Sequence, residues 1–173
     1  MKNQMKKLFN IKVFDIDRKE RILSEYLTGK KAFIFMNVAS SWGLTDISYS
    51  QCAKLYTKYS SNGLEIFGFP CNQFDEQEPK CESEIKKFVK EEFDIKFPMF
   101  SKVDVNGPNT HEIYKYLKSN CKEFNKDSNI ESNSVDISWN FAKFLVDSEG
   151  NVVSYFEPDI EPNSMIESIE KML

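Results

Sequence analysis

Few side chains in this chain are equipped for redox or acid–base chemistry. The four cysteines, Cys52, Cys71, Cys81 and Cys121, are irregularly spaced with no CxxC pair, and His111 is the single histidine. That inventory argues against both a dithiol carrier and a zinc cluster. A lone reactive thiol needs a thiolate, and thiolates are stabilised where unpaired backbone N–H groups and a helix dipole meet. Asn37 to Thr45, NVASSWGLT, is a junction of that kind, joining an apolar run to a helical pattern through small residues. The loop position that would carry the nucleophile is Trp42, whose indole cannot become a thiolate. A second loop, Pro70 to Pro79 (PCNQFDEQEP), follows another apolar run at the place where open α/β sheets gather ligands. It makes Cys71 the alternative nucleophile, against the plainer reading of a small buried residue. Cys52 lies ten residues beyond Trp42, roughly 15 Å along a helix, and reads as core.

The elements that must position these residues follow from periodicity. Residues 11–27 alternate around a polar break at Asp17 to Glu20 and predict a β-hairpin. Lys31 to Val38 (KAFIFMNV) reads as a strand buried on both faces. From Thr45 a helix is expected with Ile47, Leu55, Tyr56 and Tyr59 inward, stopped by Asn62 and Gly63. Leu64 to Phe69 (LEIFGF) then completes a parallel β–α–β crossover. A helix from about Glu82 puts Ile85, Phe88 and Val89 inside, Phe97 to Val105 is extended, and NGPN at 106–109 turns the chain. Asn109 is the expected cap of a helix carrying Ile113, Tyr116 and Leu117, with His111 a solvated residue near its start. Cys121 to Asp136 is polar and reads as a surface excursion. Trp139 to Val146 and Val152 to Phe156 flank a Ser-Glu-Gly-Asn turn as a second hairpin, and a helix with Ile166, Ile169 and Met172 on one face ends the pattern.

Bulk properties bound the function class. With 173 residues, 40 % hydrophobic and 14 % aromatic, the chain fits one domain, 1–173, with a sizeable core. A net charge of −4 with interspersed signs gives no nucleic-acid stripe, and no run is long enough for a membrane span. MKNQMKKLFN lacks the apolar core of a secretory signal, so the expected location is cytoplasmic. Asp75, Glu76 and Glu78 lack a histidine partner and read as a solvated loop rather than a metal site.

Three separated stretches resemble the glutathione peroxidase family: NVASSWGLT its NVASxCGxT, FPCNQFDEQEP its FPCNQFxxQEP, and WNFAKFLVDSEG its WNFxKFLVDxxG. KVDVNG at 102–107 extends the likeness, which runs over nearly the whole chain. The resemblance implies an α/β, thioredoxin-like fold with a central mixed sheet flanked by helices. It also implies a peroxidase that reduces hydrogen peroxide or organic hydroperoxides in the response to oxidative stress. No bound cofactor is expected, and glutathione or a thioredoxin-like protein serves as thiol reductant. Carried over by motif, the catalytic positions are Trp42, which occupies the nucleophile position, with Gln73, Trp139 and Asn140 as assisting donors. Such donors suit the reaction: amide and indole N–H groups hold developing charge without quenching a nucleophile.

Departures from the family pattern are equally specific. Trp42 stands where sulfur or selenium belongs, which raises the alternative of an inactive member acting as a binding or sensing protein. Its codon, UGG, is one base from the cysteine codons UGU and UGC and from UGA, the selenocysteine codon. Lys90 holds the resolving-cysteine position in the helix after the second loop, with Cys81 earlier in the same segment. Arg18 and Arg21 are the only arginines available to an anionic tripeptide, and both lie in the N-terminal hairpin. The family's oligomerisation insertion is not recognisable, favouring a monomer.

Overall fold

In the computed structural model, which describes residues 7–126 and 135–173, the chain is built around a four-stranded mixed sheet. Its spatial order is β4 (Leu64–Pro70), β3 (Ala32–Val38), β5 (Lys143–Asp147), β6 (Val152–Phe156). β3 and β4 are parallel, while β3–β5 and β5–β6 are antiparallel. The separate hairpin pairs β1 (Lys12–Phe14) with β2 (Glu20–Ile22). The expected mixed sheet, parallel crossover and N-terminal hairpin are all present.

β3 is interior to the sheet, β4 is an edge strand covered by the segment whose Met99 bridges to Gly68, and every residue of both is buried. Their side chains alternate between two cores, which explains the continuous apolar run. On one face Phe33 stacks on Phe67 and Phe35 on Phe69, with near-parallel rings. α3 (Glu112–Ser119) covers that face through Ile113, Tyr114 and Leu117. On the other face Ile34, Met36 and Val38 meet α1 (Thr45–Tyr59), α2 (Glu82–Phe93) and α5 (Ile166–Met172). Gly63, at φ 117°, ends the turn after α1, a backbone state that favours glycine.

Several local expectations are corrected. Ile47 is exposed, and α1 instead buries Tyr49, Cys52, Leu55 and Tyr59, a stripe set by the sheet it lies against. Asn109 does not cap α3. The cap is His111, whose Nδ1 accepts the Ile113 N–H at 3.1 Å, so the ring is half-buried rather than solvated. Burial lowers its pKa, in keeping with a neutral acceptor nitrogen. Within the expected surface excursion, α4 (Lys122–Asn125) is helical and Cys121 is buried, while 127–134 of that stretch lie outside the described residues. Among the described residues no helix is long and apolar enough to cross a membrane.

Candidate active site

Two loops and one turn converge at the C-terminal ends of β3 and β4. The first, 39–44, leads from β3 into α1, which starts with no side-chain cap at Leu44. The Thr45 N–H of its first turn donates to the Trp42 carbonyl at 3.1 Å, which seats residue 42 at this helix end. Thr45 shapes the loop from inside the helix: its hydroxyl donates to the Ala39 carbonyl at 2.8 Å and accepts the Trp42 N–H at 3.0 Å. The Trp42 ring, half-buried, stacks on Phe141 with centroids 5.9 Å apart.

Phe141 belongs to the turn ahead of β5, which begins at Lys143 and not at Trp139 as the apolar pattern predicts. The reason is a backbone reversal: Phe141 has φ 63°, costly for a non-glycine residue unless its surroundings hold it. They do. Its N–H donates to the Asn37 carbonyl at 2.7 Å, and its carbonyl accepts from Lys143 Nζ at 2.6 Å. The Asn37 side chain adds a clamp, donating to the Trp139 carbonyl at 3.0 Å and accepting the Ala142 N–H at 3.1 Å. Lys143 is fully buried and also faces the Glu157 and Pro158 carbonyls. Burial pulls its pKa down to about 8.

These contacts seat Asn140 and Trp139. Asn140 is fully buried and donates through Nδ2 to Gln77 Oε1 at 2.8 Å, joining the turn to the second loop. Trp139 is half-buried with its ring 5.7 Å from Phe74, also in the second loop. Gln73 is exposed and anchored to the segment after β4: Oε1 accepts the Val105 and Asn106 N–H groups at 2.8 and 3.1 Å, and Nε2 donates to the Asn106 carbonyl at 2.8 Å. One N–H of that amide then has no protein partner among the described residues. The structure thus packs Trp42 on Phe141, the residue after Asn140, and Trp139 against Phe74, the residue after Gln73.

Cys71 does not meet the requirements of a displaced nucleophile. It has no exposed surface, its thiol lies 3.4 Å from Gln73 Oε1, and burial pushes its pKa up to about 11, so thiolate is disfavoured. Cys52 is buried as expected, with its thiol pushed up to about 12. Cys81 is half-buried at the start of α2, within 3.2 Å of Ser83 Oγ and Glu84 Oε1.

One functional candidate escaped the sequence reading. Asp75 and Glu76 are exposed as expected, whereas Glu78 is completely buried. Its Oε1 accepts the Ser40 N–H at 3.2 Å and the Ser40 hydroxyl at 2.5 Å, linking the second loop to the first. The available signal was its place inside the FPCNQFDEQEP stretch; in the fold its neighbour Gln77 links the same two loops, its carbonyl accepting the Ser41 N–H at 3.1 Å. Both arginines are engaged, Arg18 with Glu82 at 3.0 Å and Arg21 with Asp15 at 2.9 Å.

The glutathione peroxidase family model matches residues 8–118. Phospholipid hydroperoxide glutathione peroxidase 1 of Arabidopsis thaliana is 44% identical over 168 residues, covering 97% of this chain and 67% of that protein. A relative from Nicotiana tabacum, named "Probable phospholipid hydroperoxide glutathione peroxidase", is 48% identical over 143 residues, 83% of this chain and 80% of its own length. The crystal structure of T. cruzi GPX1 superimposes with a TM-score of 0.71 at 27% identity, over 96% of this chain and 95% of that one. A thioredoxin-family thiol:disulfide interchange protein from Chlorobium tepidum shares the fold, with TM-score 0.63 at 16% identity, covering 94% and 92%. The fold is thioredoxin-like. The cytoplasmic expectation is overturned: matched Arabidopsis relatives are chloroplastic and mitochondrial by name, and the lack of a secretory pattern does not separate those compartments from the cytoplasm.

Proposed function

Because this chain belongs to the glutathione peroxidase family, we propose that it reduces hydrogen peroxide or organic hydroperoxides with a thiol reductant, the reaction centring on position 42. The observation that supports the proposal is that position 42 lies just before the N-terminus of α1, which has no side-chain cap, with its ring stacked on Phe141, the residue after Asn140. A thiolate or selenolate there attacks one peroxide oxygen. The O–O bond breaks, the second oxygen leaves as hydroxide or alkoxide and takes up a proton, and the nucleophile is left carrying the first oxygen. One reducing thiol displaces that oxygen as water to form a mixed disulfide or selenenyl sulfide. A second thiol attacks this bond, freeing the nucleophile and leaving the two reducing thiols as a disulfide. Asn140, Trp139 and the unpartnered N–H of Gln73 supply neutral donors for the charge that develops on the leaving oxygen.

An indole cannot perform the attack, and burial disqualifies Cys71 as its substitute. The proposal therefore assigns the chemistry to codon 42, one base from cysteine and from selenocysteine. The relatives named above lend no support to the alternative of a non-enzymatic binding or sensing protein. The reductant is glutathione or a thioredoxin-like protein, and the ion pairing of both arginines favours the protein over the anionic tripeptide. We further propose a single domain over 1–173, a monomer, and a role in removing hydroperoxides under oxidative stress.

Peroxide consumption by the unaltered chain, by Trp42→Cys and by Cys71→Ser, each with glutathione and with a thioredoxin system, tests this. Activity appearing with Trp42→Cys is expected. No activity in any form refutes the proposal, and activity in the unaltered chain that Cys71→Ser abolishes moves the nucleophile to Cys71.

A further inference from the structure

The two site loops are tied by a backbone bond, from the Ser41 N–H to the Gln77 carbonyl, and by the buried carboxyl of Glu78, which holds Ser40, two residues before Trp42. Glu78 Oε1 takes both donors of Ser40, and the Glu78 N–H donates to Asn72 Oδ1 at 3.0 Å, so its own loop holds it as well. Among the described residues the other oxygen, Oε2, is buried without a partner, and so are the Tyr49 hydroxyl of α1 and Asn140 Oδ1 of the turn before β5. Tyr49 and Trp42 both contact Phe141, Asn140 precedes Phe141 and is bonded to Gln77, the neighbour of Glu78, and Glu78 holds Ser40, two residues before Trp42.

We propose that Glu78 is the positioning residue of this site, its ionised carboxylate holding Ser40 and so fixing residue 42 against Phe141, and its protonation at Oε2 relaxing that hold. The inference rests on the proposed function only in calling position 42 the reacting one. A carboxylate accepts stronger, charge-assisted bonds than the neutral acid, so both bonds to Ser40 weaken when the proton arrives. The unpartnered Oε2 is the oxygen left to carry it. The groups facing Glu78 are Lys80 from its own loop and Lys102 from the extended segment, which favour the carboxylate, and Tyr49 of α1 and Cys71 at the end of β4, which are neutral. Burial outweighs the lysines and raises the Glu78 pKa to about 7, so both forms are populated near neutrality.

The test is a pH titration of Trp42 fluorescence from pH 5 to 9 in a Trp139→Phe background, which leaves Trp42 as the only tryptophan. A single transition with a midpoint near 7 is expected, lost on adding Glu78→Gln. Ser40→Ala guards against a Glu78→Gln chain that does not fold. It removes one donor to the carboxylate and is expected to raise the midpoint by about one pH unit, the equivalent of one charge-assisted hydrogen bond. A flat titration in the background chain, a transition that survives Glu78→Gln, or an unmoved midpoint in Ser40→Ala overturns the inference. The readout does not involve turnover: a flat titration with active Trp42→Cys refutes the positioning role alone, and a clear transition with inactive Trp42→Cys refutes the peroxidase proposal alone.

Discussion

Replacing Asn37 by alanine removes the clamp that holds the Trp139–Asn140 turn against the sheet. In the folded chain the Asn37 side chain is fully buried and bridges more than a hundred residues of sequence, to the Trp139 carbonyl and the Ala142 N–H. Alanine leaves both groups without a side-chain partner, and Ala142 is itself fully buried. Each orphaned group costs about 1–3 kcal/mol. Together with a small cavity the loss is roughly 3–4 kcal/mol, a large share of the 5–15 kcal/mol typical of a folded domain. With a urea dependence of about 2 kcal/mol per molar, the unfolding midpoint falls by roughly 1.5–2 M. Asn37→Asp sharpens the test. Its first oxygen still accepts from Ala142, while the second meets the Trp139 carbonyl and must carry a proton to bond it. Burial raises the folded pKa of that carboxyl above its unfolded value near 3.9. Its contribution is then full below that unfolded value and lost as pH rises through the folded one, so Asn37→Asp is less stable at pH 8 than at pH 5 relative to the unaltered chain. Urea denaturation followed by circular dichroism at both pH values checks this. An Asn37→Ala chain within about 0.5 kcal/mol of the parent, or an Asn37→Asp deficit equal at both pH values, refutes the clamp.

Two further outcomes are expected. Gly68→Ala places a Cβ 2.5 Å from the Met99 sulfur; the thioether can swing aside, so the cost is about 1 kcal/mol, and Gly68→Val, which Met99 cannot accommodate, costs about 3 kcal/mol, both read from denaturant midpoints. Lys143 titrates at about 8 in the folded state and higher when unfolded, so the unfolded chain binds more protons between those values and this group's contribution to stability rises with pH across the window. The stability gap between the parent and Lys143→Met is therefore wider at pH 10 than at pH 7.5, and an unchanged gap removes Lys143 as a buried, partly neutralised amine.

Much of the fold was legible in local pattern. The strand at 32–38, the helix from Thr45, the stop at Gly63 and both hairpins follow from periodicity and turn chemistry, because each depends on neighbours in sequence. The α1 face was misread at Ile47 because this residue lies in the first turn of the helix, where position in the fold rather than spacing decides exposure. His111 and Asn109 compete for the same cap, and only the path of the turn selects His111.

For the site, sequence alone determined the motifs, the donor types and the anomaly at position 42, since residue identity and spacing are written in the chain. Tertiary structure decided the rest. Glu78 is buried because Ser40, thirty-eight residues away, closes over it, and Phe141 adopts its reversed backbone because Asn37 and Lys143 hold it from both sides. The burial and raised pKa that disfavour a Cys71 thiolate come from the packing above the sheet rather than from its place in the motif. Burial, electrostatics and long-range hydrogen bonds depend on which distant segments meet, and a local pattern carries no record of those meetings.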